Sequence, residues 1–214
     1  MEMVEGRSLQ AMLAGAGPLP LKNVLDIAGQ IAEGLAEAHV HKIVHRDLKP
    51  GNVMVTPQGR VKILDYGLAK VLEIAQSSDH LETAAQTISD QRSREGKIVG
   101  TIGYMSPEQA RGQSVDSRSD TFSFGIMLYE MASGKSPFAG STPMDTLSAI
   151  IQKTEVPVRE LNPEVPPKLA EVVSRCLEKD PGERATRTAA TSWSISSASR
   201  ATSRAGRPRR RSLR

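Results

Sequence analysis

His45-Arg46-Asp47-Leu48-Lys49-Pro50-Gly51-Asn52 sets a carboxylate, a cation and an amide at spacings of two and five residues. On its N-terminal side, Leu21, Val24, Leu25, Ala28, Ile31, Ala32, Leu35 and Ala38 step by three and four, the pattern of an amphipathic helix ending near His41. On its C-terminal side, Val53 to Thr56 and Arg60 to Leu64 are β-type runs joined by Pro57-Gln58-Gly59, which predicts a small hairpin. The stretch is therefore a loop between helix and strand, and loops on rigid supports are where reactive groups are usually held. Thirteen residues past Asn52, Asp65-Tyr66-Gly67 ends the hairpin with a second carboxylate and a flexible glycine. Asn52 and Asp65 offer hard oxygen ligands suited to Mg²⁺, whose other positions water and phosphate would fill. Asp47 is left free to accept a proton.

Further along, Asp120 to Ala132 carries Phe122, Phe124, Ile126, Met127, Leu128, Tyr129 and Met131, apolar on every side, and reads as a helix buried inside the domain. Thr142-Pro143 with Asp145 supplies an N-cap, a first-turn proline and an acid for a helix to about Gln152. Another helix is expected from Lys168 to about Glu178, stopping before Pro181-Gly182. Residues 73 to 97 are polar without a sustained period and read as a loop, with a short helical piece around Leu81 to Ala85. The fold class expected is mainly α with a small β-hairpin: a helical bundle around a buried central helix.

The chain has 214 residues, 38% apolar and 24% charged, enough for a large domain with a real core. Cys176 has no partner for an internal disulfide, so a bridged secreted scaffold is excluded, and no apolar run is long enough for a membrane span. A soluble, cytoplasmic protein is expected. Net charge is +4, yet residues 200–214 hold seven Arg and no acid, leaving −3 on residues 1–199. Residues 185–214, with eleven Ser or Thr, eight Arg and only Trp193, Ile195 and Leu213 as large apolar side chains, are expected to be a disordered basic tail. That tail has no base-stacking aromatic beyond Trp193, and nucleic-acid binding is not expected of it. His39, His41 and His80 read as surface or core histidines, since no Cys or second His sits at ligand spacing.

These motifs resemble the signature of the protein-kinase superfamily. His45 to Asn52 fits the catalytic loop, Asp65-Tyr66-Gly67 resembles the metal-binding triplet with Tyr for Phe, and Ser106-Pro107-Glu108 resembles the end of the activation segment with Ser for Ala. Gly100-Thr101-Ile102-Gly103-Tyr104-Met105-Ser106-Pro107-Glu108-Gln109 looks most like bacterial kinases of the eukaryotic-like serine/threonine type. Over residues 1–184 the resemblance implies the C-terminal lobe of a kinase domain, using ATP with Mg²⁺ or Mn²⁺ on protein substrates with Ser or Thr acceptors. It implies that Asp47 deprotonates the substrate hydroxyl, Lys49 holds the γ-phosphoryl group, and Asn52 and Asp65 hold metal. Met1 to Gly6 resembles the hinge between lobes, so Glu2 and Val4 join Met54 in the ATP-binding set. Thr101 would hydrogen-bond the Asp47–Lys49 pair. Buried structural positions are implied for His45, Tyr66 and Asp120, a pairing of Arg184 with Glu108, and a phosphate-facing role for Arg46, with Thr87 or Ser89 as its phosphorylated partner.

The same resemblance puts a glycine-rich loop, a strand lysine and its glutamate before Met1, so the N-terminal lobe is expected to be missing and phosphoryl transfer by this chain alone very weak or undetectable. An internal codon taken as a start, or a degraded gene, would explain it, and the aperiodic Ala185 to Arg214 suggests a shifted reading frame near Arg184. The competing function is a non-catalytic, kinase-like protein-binding module.

Overall fold

Ser117–Ser133 is the helix around which the others pack, and nearly all of its length is buried. Asp116 caps its first turn by accepting from the Arg118 amide, and Gly134 ends it in the left-handed region at φ 71°. A side chain at Gly134 would also strike the Gly17 and Pro18 backbone. The terminal carbonyls of Met131 and Ala132 are satisfied from outside the helix, by the Leu19 amide at 2.8 Å and Asn162 Nδ2 at 2.8 Å.

The computed structural model describes residues 5–15, 17–66 and 102–184. In chain order the elements are β1 (Arg7–Ser8), α1 (Leu9–Leu13), α2 (Leu21–Val40), a 3₁₀ turn (Pro50–Asn52), β2 (Val53–Val55) and β3 (Val61–Ile63). After these come α3 (Pro107–Ala110), α4 (Ser117–Ser133), α5 (Pro143–Gln152), α6 (Val158–Leu161) and α7 (Pro167–Cys176). The helices read from periodicity are all present, within a few residues of the expected ends. The short α1, α3 and α6 and the strand β1 are additions, because elements of two to five residues are too short to show a period. The loop and helical piece expected within 73–97, Thr87, Ser89 and the tail 185–214 lie outside the described residues.

Helix α2 buries Val24, Leu25, Ile27, Ala28, Ile31 and Leu35 against α4, and α7 lies on another side of α4, burying Leu169, Val172, Val173 and Cys176. The α4–α7 approach is close: a Cβ built on Gly125 would stand 2.5 Å from Cys176 Cβ. Capping boxes start α3 and α5, on Ser106 with Gln109 and on Thr142 with Asp145.

The three strands form an antiparallel sheet in the order β1-β2-β3. Val53 pairs with Ile63 and Val55 with Val61, and these four sit in or against the core. Met54, cross-strand from Lys62 and from Ser8, occupies the alternate, outward-facing position. Gln30 of α2 clamps the hairpin from below, donating from Nε2 to the Gly59 carbonyl at 2.9 Å and accepting the Val61 amide on Oε1 at 2.9 Å.

Candidate active site

Helix α2 stops at His41, Lys42 reverses the chain at φ 60°, and the loop that follows runs past the N-terminal turn of α4. There Asp120, 1% exposed, spends its carboxylate on three donors: the His45 amide at 2.8 Å, the Arg46 amide at 2.9 Å and His39 Nε2 at 2.8 Å. A buried carboxylate is tolerable only when satisfied in this way. The bonds also fix Arg46 at φ 66°, a left-handed conformation that costs a non-glycine residue roughly 1–2 kcal/mol. From the other side Gln109 Nε2 donates to the Arg46 carbonyl at 2.6 Å.

His45, fully buried, uses both ring nitrogens. Nε2 donates to the Leu64 carbonyl at 2.9 Å, which leaves Nδ1 to accept the Asp47 amide at 3.3 Å. The Leu64 amide returns a bond to the Asn52 carbonyl at 2.8 Å. One imidazole and one backbone bond thereby join the loop carrying Asp47 to the strand end carrying Asp65.

The Asp47 carboxylate accepts from Lys49 Nζ at 2.7 Å and, more distantly, from Asn52 Nδ2 at 3.4 Å, while Asn52 Nδ2 also reaches the Asp47 carbonyl at 2.9 Å. The Asp47 carboxylate is thus shared with its own neighbours, because Pro50 and the 3₁₀ turn fold Lys49 and Asn52 back over it. Both side chains of the Asp47–Lys49 pair are 25% exposed, so the pair remains reachable from solvent. Asp65, at φ 51°, is exposed, and no hydrogen bond to its carboxylate is present among the described residues.

The donor chemistry fits a hard divalent cation. With Asn52 Nδ2 committed to Asp47, Oδ1 is the amide atom left to bind a metal, and Asp65 adds a carboxylate. Among the described residues no cluster of three or more His, Cys, Asp or Glu could hold a metal ion unaided. A site of one carboxylate and one amide oxygen suits an ion that arrives with phosphate and water ligands.

Tyr66 packs on the rim, its ring 4.9 Å from that of His45. It is half-buried rather than buried as expected. Burial, with the charge of Asp120 second, pushes its phenol above the ordinary range. Met54 lies on the outward face of the sheet, paired across to Ser8 of β1. Glu2, Val4 and Thr101 lie outside the described residues. The chain after Thr101 is pinned to α4 by Ser123 Oγ donating to the Tyr104 carbonyl at 2.7 Å and by the Tyr104 hydroxyl donating to Glu130.

The expected pairing of Glu108 with Arg184 is present and bidentate, at 3.0 and 2.6 Å, with Ser119 Oγ donating to the same carboxylate at 2.6 Å. Arg184 also donates to the Arg118 carbonyl at 2.6 Å. Burial works to raise the Glu108 carboxyl, but the bonds from Arg184 and Ser119 outweigh it and hold the group below its ordinary value.

Sequence reading missed the bonds of three side chains. Gln109 was quoted only as part of a motif; the Ser-x-x-Gln spacing marks a capping box, and nothing in it signals the second bond to Arg46. Gln30 sits on a helix face with no pattern of its own. His39, read as a surface or core histidine, is the third donor to Asp120.

A protein kinase domain model matches residues 1–194. The chain is 41% identical over 184 residues to a probable serine/threonine-protein kinase of Clostridium acetobutylicum, covering 86% of this chain and 26% of that protein. It is 38% identical over 184 residues to the serine/threonine-protein kinase PknA of Mycobacterium tuberculosis strain H37Rv, covering 86% of this chain and 38% of that protein. Identity is 35% over 184 residues to the serine/threonine-protein kinase PknB of Mycolicibacterium smegmatis, covering 86% of this chain and 27% of that protein. The chain thus spans well under half the length of these relatives. With the family model matching residues 1–194, the chain belongs to the protein kinase family.

Proposed function

We propose that the cleft edged by Asp47, Lys49, Asn52 and Asp65 takes ATP with Mg²⁺ or Mn²⁺ and passes the γ-phosphoryl group to Ser or Thr hydroxyls of protein substrates. The observation that carries this is the His45 bridge: one buried ring touches both the Asp47 amide and the Leu64 carbonyl, so the loop of the base and the residue before the metal-type carboxylate share a single anchor. A module that only bound partners would have no physical need for all four polar side chains.

In this reading Asp47 orients the substrate hydroxyl and takes its proton as the oxygen bonds to phosphorus and the bond to the ADP oxygen breaks. Lys49, already at 2.7 Å from Asp47, carries its charge to the transferring group. Asn52 and Asp65 would hold the cation, which when bound neutralises phosphate charge. Met54, with Glu2 and Val4, would border the adenine, and Thr101 would bond to the Asp47–Lys49 pair. Lysine two residues after the base goes, by family resemblance, with Ser and Thr acceptors. Residues 1–184 would act as the kinase unit in the cytoplasm, with the basic residues beyond it taking no nucleic acid. Among the described residues no helix is long and apolar enough to cross a membrane.

Calorimetric titration of MgATP into the chain tests the reading. The expected result is binding that requires the divalent ion and weakens at least tenfold in Asp65→Asn, a variant that keeps shape and removes charge. Binding indifferent to both the ion and the substitution would overturn it.

A further inference from the structure

The Gln109 side chain spans two segments that the proposed reaction must coordinate. Its Oε1 accepts the Ser106 amide at 3.0 Å, at the start of α3, and its Nε2 donates to the Arg46 carbonyl at 2.6 Å, 63 residues away in sequence. The Arg46 carbonyl belongs to the peptide unit that leads into Asp47. That unit follows a residue held at φ 66°, a conformation that persists only where its surroundings over-determine it. Asp120 fixes the amide side of Arg46, at 2.9 Å. Gln109 alone among the described side chains is seen on the carbonyl side. The Asp47 amide, on the far end of the same peptide plane, donates to His45 Nδ1 at 3.3 Å.

We propose that Gln109 is a positioning residue: it locks the Arg46–Asp47 peptide plane, so that the orientation of the Asp47 carboxylate depends on whether the chain around Ser106 is seated at the head of α3. The device is a single amide with its two ends on two segments. An ordinary capping residue would bond only within its own helix turn. Gln109 does that as well, through its backbone amide to Ser106 Oγ at 3.3 Å, so the two roles sit on different atoms and can be separated. The inference rests on the reading of Asp47 as the base, but the coupling itself is a structural property and is measurable without turnover.

Three full-length variants separate the roles. Gln109→Glu keeps an acceptor for Ser106 and replaces the donor to Arg46 with a repelling oxygen. Gln109→Met keeps volume and loses both bonds, and serves if the first fails to fold. Ser106→Ala removes the cap and leaves the Arg46 bond. Hydrogen exchange followed on peptides covering residues 45–49 is expected to accelerate about tenfold in the two Gln109 variants and to stay unchanged in Ser106→Ala, the factor corresponding to one lost hydrogen bond. Where the parent chain transfers phosphate, kcat is expected to fall about tenfold in Gln109→Glu with KM for peptide within twofold. Exchange that rises only over residues 102–111, or equally in Ser106→Ala, would overturn the proposal. A parent chain without detectable transfer, the outcome expected of this chain alone, leaves the exchange result to decide the coupling.

Discussion

The head of α4 and the proposed catalytic rim are built from the same kinds of residue, carboxylates with basic and amide partners, yet they are opposites in environment. At the head, Arg184 and Glu108 are 1% and 4% exposed and each carries several bonds. At the rim, Asp65 is exposed and Asp47 is held by a flexible lysine. A buried pair stabilises the fold only as a pair, because either member alone is an uncompensated charge in a low dielectric. An open rim contributes little to stability and keeps its charges available. The backbone links the two regions: Asp120 and Gln109, both in or beside the buried part, hold Arg46 in its strained conformation from opposite ends of the residue.

Arg184→Met should show the contrast most strongly. It leaves Glu108 buried without its main partner, and a loss of about 3–5 kcal/mol is expected in denaturant unfolding. The pH dependence follows from the direction of the Glu108 shift. Its folded carboxyl lies below the ordinary 4.5, so the pair's contribution is fully present above that value and is lost as pH falls through the lower, folded one. The parent chain should therefore lose stability on acidification faster than Glu108→Gln, and parallel acid limbs would show that the pair is not the titrating element.

Gln30→Leu stands between the extremes. It removes both bonds to the hairpin turn and leaves the Val61 amide and Gly59 carbonyl to find water, for a cost of about 1–2 kcal/mol. Exchange should rise in residues 56–62 before it rises in α4, and a uniform rise would show that the clamp is not local. Asp65→Asn should be the least costly, within about 0.5 kcal/mol, since an exposed carboxylate with no hydrogen-bond partner among the described residues has little to lose. A large destabilisation there would mean that the rim is structural and would erase the contrast with α4.

Much of this arrangement was legible in residue order. The periodicity of Leu21 to Ala38 and the all-round apolar character of Phe122 to Met131 announced the two helices that carry the site, since periods of 3.6 survive whatever packs around them. Asp47, Asn52 and Asp65 stood out through spacing within short segments, and Glu108 with Arg184 through resemblance. The links between segments were not legible. Nothing local in His39, Gln30 or Gln109 reveals a bond partner 29 to 81 residues away, because a neutral polar side chain at a helical position is also what a solvated face looks like. The tie of Lys49 to Asp47 was hidden for a different reason: it depends on how tightly Pro50-Gly51-Asn52 turns, and a turn's tightness is set by its surroundings as well as by its residues.

The claim beneath the rest is that Asp47 serves as the proton acceptor for a substrate alcohol while the buried framework only aims it. Radiolabelled phosphate transfer from ATP to Ser- and Thr-containing peptides, compared between the parent chain and Asp47→Asn at matched unfolding midpoints, tests it most directly. The account predicts Mg²⁺-dependent labelling in the parent, however slow, that falls at least a hundredfold in Asp47→Asn with nucleotide binding preserved. Detectable Mg²⁺-dependent labelling that is equal in the two proteins would contradict it.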